Sequence, residues 1–200
     1  MSEENTKELL LSAARAEFLR CGYQKASLRK ICAAADVTTG ALYFFFKNKE
    51  ELFSCLVGEV AERLLQLVQR QTDSEVNGRG DSAAYQRELN EYLCENKDIV
   101  RILFYCSEGT AYSNFRERYC AEAAKGFYMF YDKCGGSAEY RDIMGLIVRM
   151  RIQGYIEMLN GDYDMDKMMK FSELMELYGD SGFAGMMEKF NSITKAQSVD

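Results

Sequence analysis

Side chains able to hydrogen-bond a phosphate oxygen or a base edge gather in one short stretch of this 200-residue chain: Ser27, Thr38, Thr39, Tyr43, Lys47 and Lys49, with Gly40 among them. Hydroxyls and ammonium groups serve phosphate contact, and a glycine lets the backbone come close to a ligand. Elsewhere the composition withholds other chemistries. There is no histidine, which removes the usual near-neutral acid/base group and the commonest metal ligand. The seven cysteines, at 21, 32, 55, 94, 106, 120 and 134, form no Cys-x-x-Cys pair. Neither a zinc site nor a disulfide framework is indicated, and reduced thiols in a cytoplasm fit best. Thiols near Arg20 or Arg118 admit a redox role as well as inert burial, and none is assigned a role. No glycine loop of the phosphate-cradling kind is present. No metal and no cofactor is therefore expected, and the chain reads as a non-enzyme, with carboxylate or tyrosine chemistry left as the open alternative.

The elements that must position those residues are helices. The chain has no proline, and its 48% hydrophobic and 28% charged residues match an ordinary folded domain. Leu11, Ala14, Phe18 and Cys21 recur at three- and four-residue steps, predicting a helix from about Thr6 to Arg20 that Gly22 ends. Ser27 caps a second helix, Leu28 to Ala35, with Leu28, Ile31 and Ala35 inward. After a tight turn at Asp36-Val37, Thr38 or Thr39 caps a third helix through Phe45. Asn48 and Glu51 resemble a capping box opening a long helix to about Gln71. Asp73 to Ser82 reads as a polar loop containing Arg79-Gly80-Asp81, an adhesion-type tripeptide with no role in an unexported chain. Further helices are expected at about 82–95, 98–107, 113–134, 138–159, 164–178 and 183–194, the last two parted by a loop at Gly179-Asp180-Ser181-Gly182. The fold class is all-α.

The net charge of −6 is unevenly spread: residues 1–50 hold eight basic and six acidic side chains, so the acidic excess lies in the remainder. A locally basic head on an acidic chain is compatible with nucleic-acid binding, because the footprint is set by local charge. Met1-Ser2-Glu3-Glu4 lacks a basic n-region, and no apolar run approaches the roughly 18 residues of a membrane span. A cytoplasmic location away from membranes is the expectation.

Two short helices joined by a tight turn at 27–45 have the spacing of a helix-turn-helix, whose second helix enters the major groove, although any helical protein contains short helix pairs. The residues themselves say more. Ala14, Phe18, Gly22-Tyr23, Ser27, Ile31, Ala35 to Tyr43, Phe46 and Lys49 to Leu52 closely resemble the N-terminal domain of TetR/AcrR-family transcriptional regulators. The densest part is Val-Thr-x-Gly-x-Leu-Tyr-x-x-Phe-x-x-Lys-x-x-Leu from Val37 to Leu52, and the likeness covers residues 7–53. The resemblance implies an N-terminal three-helix DNA-binding domain (1–47) followed by an all-helical effector-binding and dimerisation domain (48–200). It further implies that Ser27, Thr38, Thr39, Gly40, Tyr43, Phe44, Lys47 and Lys49 contact DNA. Tyr43 and the two lysines also read as a core aromatic and ordinary surface charges. Three positions depart from the family's pattern. Asp36 replaces the usual turn glycine and tolerates the left-handed conformation; Phe44 replaces a polar or hydrogen-bonding residue and leaves at most a thymine-methyl contact; Cys32 replaces an alanine of similar bulk.

Between 92 and 131 the chain is rich in aromatic residues, which either fill a core or enclose a small molecule. Phe104, Tyr105, Glu108, Tyr112, Phe115, Tyr119 and Phe127 are the ligand-binding candidates. Later apolar stripes, Ile143, Leu146, Ile147, Met150 and Tyr155, then Met165, Met168, Met169, Met175 and Tyr178, serve either internal packing or a two-fold helical interface of the kind the family uses. The resulting expectation is a homodimeric, ligand-responsive regulator, a repressor released from a pseudo-palindromic operator by a small-molecule effector. The alternative is a DNA-binding regulator whose helical body takes a protein partner.

Overall fold

The three- and four-residue apolar spacing becomes helix throughout. A computed structural model describes residues 3–77 and 81–197, and no strand occurs among the described residues. In order, the helices are α1 (Glu3–Lys25), α2 (Leu28–Ala34), α3 (Thr39–Phe45), α4 (Lys49–Asn77), α5 (Ser82–Glu95), α6 (Lys97–Tyr105), α7 (Phe115–Lys133), a 3-10 turn (Ala138–Tyr140), α8 (Arg141–Asn160) and α9 (Met165–Gln197). The chain forms two compact units, one of residues 1–64 with 96–118 and the other of residues 65–95 with 119–200.

In the first unit α1 packs on α2 and α6, and α2 packs on α3. The core is built from Leu10, Ala14 and Phe18 of α1, Ile31 of α2, Leu42 of α3, and Leu52 and Phe53 of α4. The Phe18 and Phe53 rings meet edge to face at 5.1 Å, and Tyr23 meets Phe53 in the same way at 5.2 Å. Full burial of a side chain of this size is worth about 1.5–3 kcal/mol, so these few residues hold the short helices α2 and α3, which are too brief to be stable alone. Ile102, Leu103, Phe104 and Phe115 complete the core from the other segment.

In the second unit α9 packs on α5 and α8. Tyr131, Met144 and Met187 are buried together, with Ile147, Phe183 and Met186 around them. The Tyr131 hydroxyl donates to the Ser137 carbonyl at 2.8 Å, closing the turn after α7. Arg70 forms an ion pair with Glu88 and lies over the Tyr85 ring, joining the end of α4 to α5.

Two expected loops are helix. Residues Asp73 to Asn77 continue α4, because no glycine or proline interrupts that stretch before Gly78. Arg79 and Gly80 of the tripeptide lie outside the described residues. Gly179 to Gly182 are likewise inside a single α9 rather than between two helices. A glycine in a helix interior costs about 1 kcal/mol relative to alanine, and with no proline nearby the burial of Met168 and Met187 offsets it. Gly22 does break α1, at φ 75° and ψ 164°, and residues 23–25 form a short turn of helix beyond it. Asp36 has φ 53°, as its tolerance of the left-handed region allows. Leu28, expected inward, is half-buried.

Candidate nucleic-acid interface

Helix α3 is presented by caps at both ends. Thr38, extended at φ −77° and ψ 156°, accepts a hydrogen bond on Oγ1 from the Ala41 N–H at 3.1 Å, so Thr38 rather than Thr39 is the N-cap. Leu42 is buried on the inner side, which turns the opposite side out. Thr38, Thr39 and Gly40 are exposed there, with Tyr43 at 54% and Phe44 at 70% exposure. A Cβ built on Gly40 would meet only Thr38 Oγ1, at an ordinary 3.7 Å, so nothing inside the fold requires glycine at this position. The Phe44 ring has Phe45 edge-on at 5.0 Å, which steadies a large apolar group in an outward position. Tyr43 is therefore not a core aromatic.

Helix α4 starts at the edge of this face. Asn48 Oδ1 accepts from the Glu51 N–H at 2.8 Å, and the Glu51 carboxylate accepts from the Lys47 N–H at 2.6 Å, a capping box shifted by one residue. Lys47 itself is exposed. Lys49 is turned inward. Its Nζ donates to the carbonyls of Tyr23 at 2.7 Å, Gln24 at 3.2 Å and Ala26 at 3.1 Å, and lies 4.5 Å over the Tyr23 ring. All three donors of the ammonium are engaged with carbonyls at and just beyond the end of α1, where a positive charge is favoured. Lys49, expected from the sequence to meet phosphate, here clamps the end of α1 to the start of α4.

Ser27 occupies the N-cap of α2 with extended backbone, but its side chain makes no cap hydrogen bond. Its N–H instead donates to Glu17 Oε1 at 3.3 Å, and Arg20 Nε donates to Glu17 Oε2 at 2.9 Å. Desolvation by itself would raise the Glu17 pKa, yet the bonds from Arg20 and Ser27 and the charges of Arg20 and Lys30 hold it below the ordinary carboxylate value. This buried carboxylate, which orients the entry to α2, was not foreseen. The only signal was a lone Glu on the apolar side of α1. Arg29 and Lys30 of α2 are exposed and add to the positive charge of the head.

Of the seven ligand candidates, five lie in the first unit and two, Tyr119 and Phe127, in the second. Phe104 and Phe115 are buried against each other in the first unit, ring centroids 6.1 Å apart. Tyr112 packs on Phe53 in the same unit, Tyr105 is 45% exposed beneath Arg116, and Glu108 is exposed. Tyr119 is buried in the second unit, where burial first, then Cys120 and Tyr155, pushes its phenol pKa well up. Phe127 lines a cavity of about 250 Å³ among α7, α8 and α9. Its other walls, among them Met144, Val148, Arg151 and Phe183, lie beyond the aromatic stretch that drew attention in the sequence. No group of His, Cys, Asp or Glu able to hold a metal occurs among the described residues, and no described helix is long and apolar enough to cross a membrane.

Residues 10–55 match the family described as bacterial regulatory proteins, tetR family. Over 99 residues the chain is 28% identical to the Transposon Tn10 TetC protein of Escherichia coli, covering 50% of each chain. Over 53 residues it is 40% identical to the HTH-type transcriptional repressor BepR of Brucella suis biovar 1, covering 26% of this chain and 25% of that one. The matched segment thus spans half the length of one relative and a quarter of the other. In structure it resembles a transcriptional regulator from Aquifex aeolicus VF5 with a TM-score of 0.54 at 20% identity, covering 86% of this chain and 98% of that one. That likeness extends the shared fold well past the matched head.

Proposed function

From the match of residues 10–55 to the tetR family we propose that this chain is a member of that family and a sequence-specific DNA-binding transcriptional regulator, a repressor that a small-molecule effector releases from its operator. Residues 1–47 are the DNA-binding domain and residues 48–200 the effector-binding and dimerisation domain. The observation that carries the reading is the outward face of α3: Thr38, Thr39, Gly40, Tyr43 and Phe44 all stand exposed on a helix anchored from behind by Leu42. That is the arrangement a recognition helix needs, a rigid inner side and hydrogen-bonding and apolar groups directed at base edges and phosphates. Thr39 and Phe44 read bases, Tyr43 and Lys47 contact phosphate, Gly40 admits the backbone, and Ser27 and Thr38 meet the DNA backbone beside the caps they occupy. Lys49 acts through the head's integrity.

Such a short helix reads few bases, so the protein acts as a homodimer on a pseudo-palindrome, its heads roughly 34–36 Å apart. Ile143, Leu146 and Met150 of α8 are 47%, 61% and 57% exposed at three- and four-residue spacing, a stripe that a second copy would cover. BepR is named a repressor, which supports repression here. The cavity of about 250 Å³ favours a small effector over a protein partner for the body. The protein works in the cytoplasm and performs no catalysis.

Selection of bound sequences from a random duplex pool, followed by anisotropy on the enriched site at two salt concentrations, tests the reading. A pseudo-palindrome with strong salt dependence is expected. A folded protein that enriches nothing would sink it.

A further inference from the structure

Among the described residues Arg151 has no ion-pair partner. Helix α8 carries its side chain into the wall of the cavity of about 250 Å³, where Phe127, Met144, Val148, Phe183 and Met186 supply apolar surface. The guanidinium carbon lies 4.5 Å over the Phe127 ring, and Nε is buried without a hydrogen-bond partner. Arg70 makes the contrast: its Nε is also buried and unpartnered, but its charge is answered by the ion pair with Glu88. A guanidinium donor stripped of water and left unmade is a standing penalty that an acceptor relieves, and nine in ten buried donors in folded proteins have one.

The glycines of α9 fit the same site. A side chain at Gly179 would collide with the Arg151 guanidinium, so the missing Cβ is what gives the guanidinium its room. Gly179 and Gly182 both line the cavity, and at Gly179 the Arg151 guanidinium occupies the space a side chain would take. Met144, Met150 and Met186 line it too, and their unbranched side chains adapt to varied apolar shapes.

From these observations we propose that this cavity binds a small organic carboxylate, its carboxylate accepting hydrogen bonds from Arg151 and its apolar body lying among Phe127, Phe183 and the methionines. The proposal rests on the reading of the body as an effector-binding domain and names the class of effector. One guanidinium answers one negative charge. A dianionic phosphate would bring a second charge into apolar surroundings with nothing to meet it, so a monoanion is the match. The volume lies just under the roughly 300–1,000 Å³ of ordinary small-molecule sites, which limits the body to a single ring or a short chain.

The test uses the full chain, titrated with benzoate, 4-phenylbutyrate and decanoate and with the primary amide of each. Thermal unfolding and calorimetry read binding. At least one carboxylate should raise the melting temperature in a concentration-dependent way while its amide does not. Arg151→Gln, folded by circular dichroism, should bind that acid at least tenfold more weakly, and Arg151→Lys should retain part of the affinity. Gly179→Ala provides a variant with the charge intact and higher helix propensity, and it should also weaken the acid by crowding the guanidinium. Equal stabilisation by acid and amide, unchanged affinity in Arg151→Gln, or no binding by any of the three acids at millimolar concentration would each overturn the proposal. DNA selection run in parallel separates the two readings. An operator without carboxylate affinity overturns only the effector class, whereas carboxylate affinity without an operator supports the site and removes the regulatory role.

Discussion

Replacing Lys49 by Met keeps the aliphatic stem and removes the ammonium that holds three carbonyls at the end of α1. Hydrogen bonds to charged groups contribute about 1.5–3 kcal/mol, and because Lys49 is half-exposed the lower part of that range applies, about 1.5–2 kcal/mol. For a chain of 150–250 residues each kcal/mol moves the melting temperature by about 2–4 °C, so Lys49→Met should melt roughly 3–8 °C lower. Its effect on DNA should be indirect. An ammonium already committed to carbonyls releases no counterions on binding, so the slope of log affinity against log salt should match that of the unmodified protein. Lys47→Met is the control, since Lys47 is exposed and should melt normally while losing about 0.9 from the slope per head. Calorimetry and anisotropy at several salt concentrations give both quantities. If Lys49→Met lowers the slope and leaves the melting temperature alone, the clamp is wrong and Lys49 is a phosphate contact after all.

Gly40→Ala should separate folding from binding. The added Cβ meets only Thr38 Oγ1 at 3.7 Å, so stability should rise by up to about 1 kcal/mol while operator affinity falls at least tenfold, a pair of changes that calorimetry and anisotropy would reveal and that a purely structural glycine would not show. Glu17 should give the head an acid sensitivity. Its pKa lies below the ordinary 4.5, so its stabilisation is present above that pH and disappears as the pH falls through the lowered value. The melting temperature of Glu17→Gln should therefore lie below that of the unmodified protein at pH 7, and the difference should close in acid. A gap independent of pH would refute the assignment.

What could be read from the sequence was whatever local spacing and local chemistry decide. The Thr38 cap, the Asn48–Glu51 box, the break at Gly22 and the left-handed Asp36 all depend on residues within four positions of one another, and all are present. Misreadings arose where distant residues decide. Lys49 meets carbonyls more than twenty positions away, and nothing in a window around it distinguishes an ammonium aimed at a phosphate from one aimed at a helix end. Gly179 looked like a turn because its reason, the Arg151 side chain on α8, is 28 residues upstream. Within the aromatic stretch Phe104 and Phe115 pack on each other, a pairing that spacing alone does not disclose. The cavity depends on a tertiary meeting of α7, α8 and α9 that composition does not encode.

The break in α1 has a consequence that concerns handedness. Gly22 sits at φ 75° and ψ 164°, a region essentially closed to L-residues, yet a Cβ built on it would touch nothing within 4 Å. Space and strain are fully separated there: L-alanine is refused by its own backbone, not by a neighbour. Inverting the stereocentre changes the sign of the allowed angles, so D-alanine would find at this position the comfortable extended geometry that its mirror image finds in any strand. Glycine at 22 thus provides a backbone geometry that suits the opposite chirality, one that ribosomal synthesis does not supply. A chemically synthesised head carrying D-alanine there would enter the fold with fewer unfolded conformations to lose than the natural chain has.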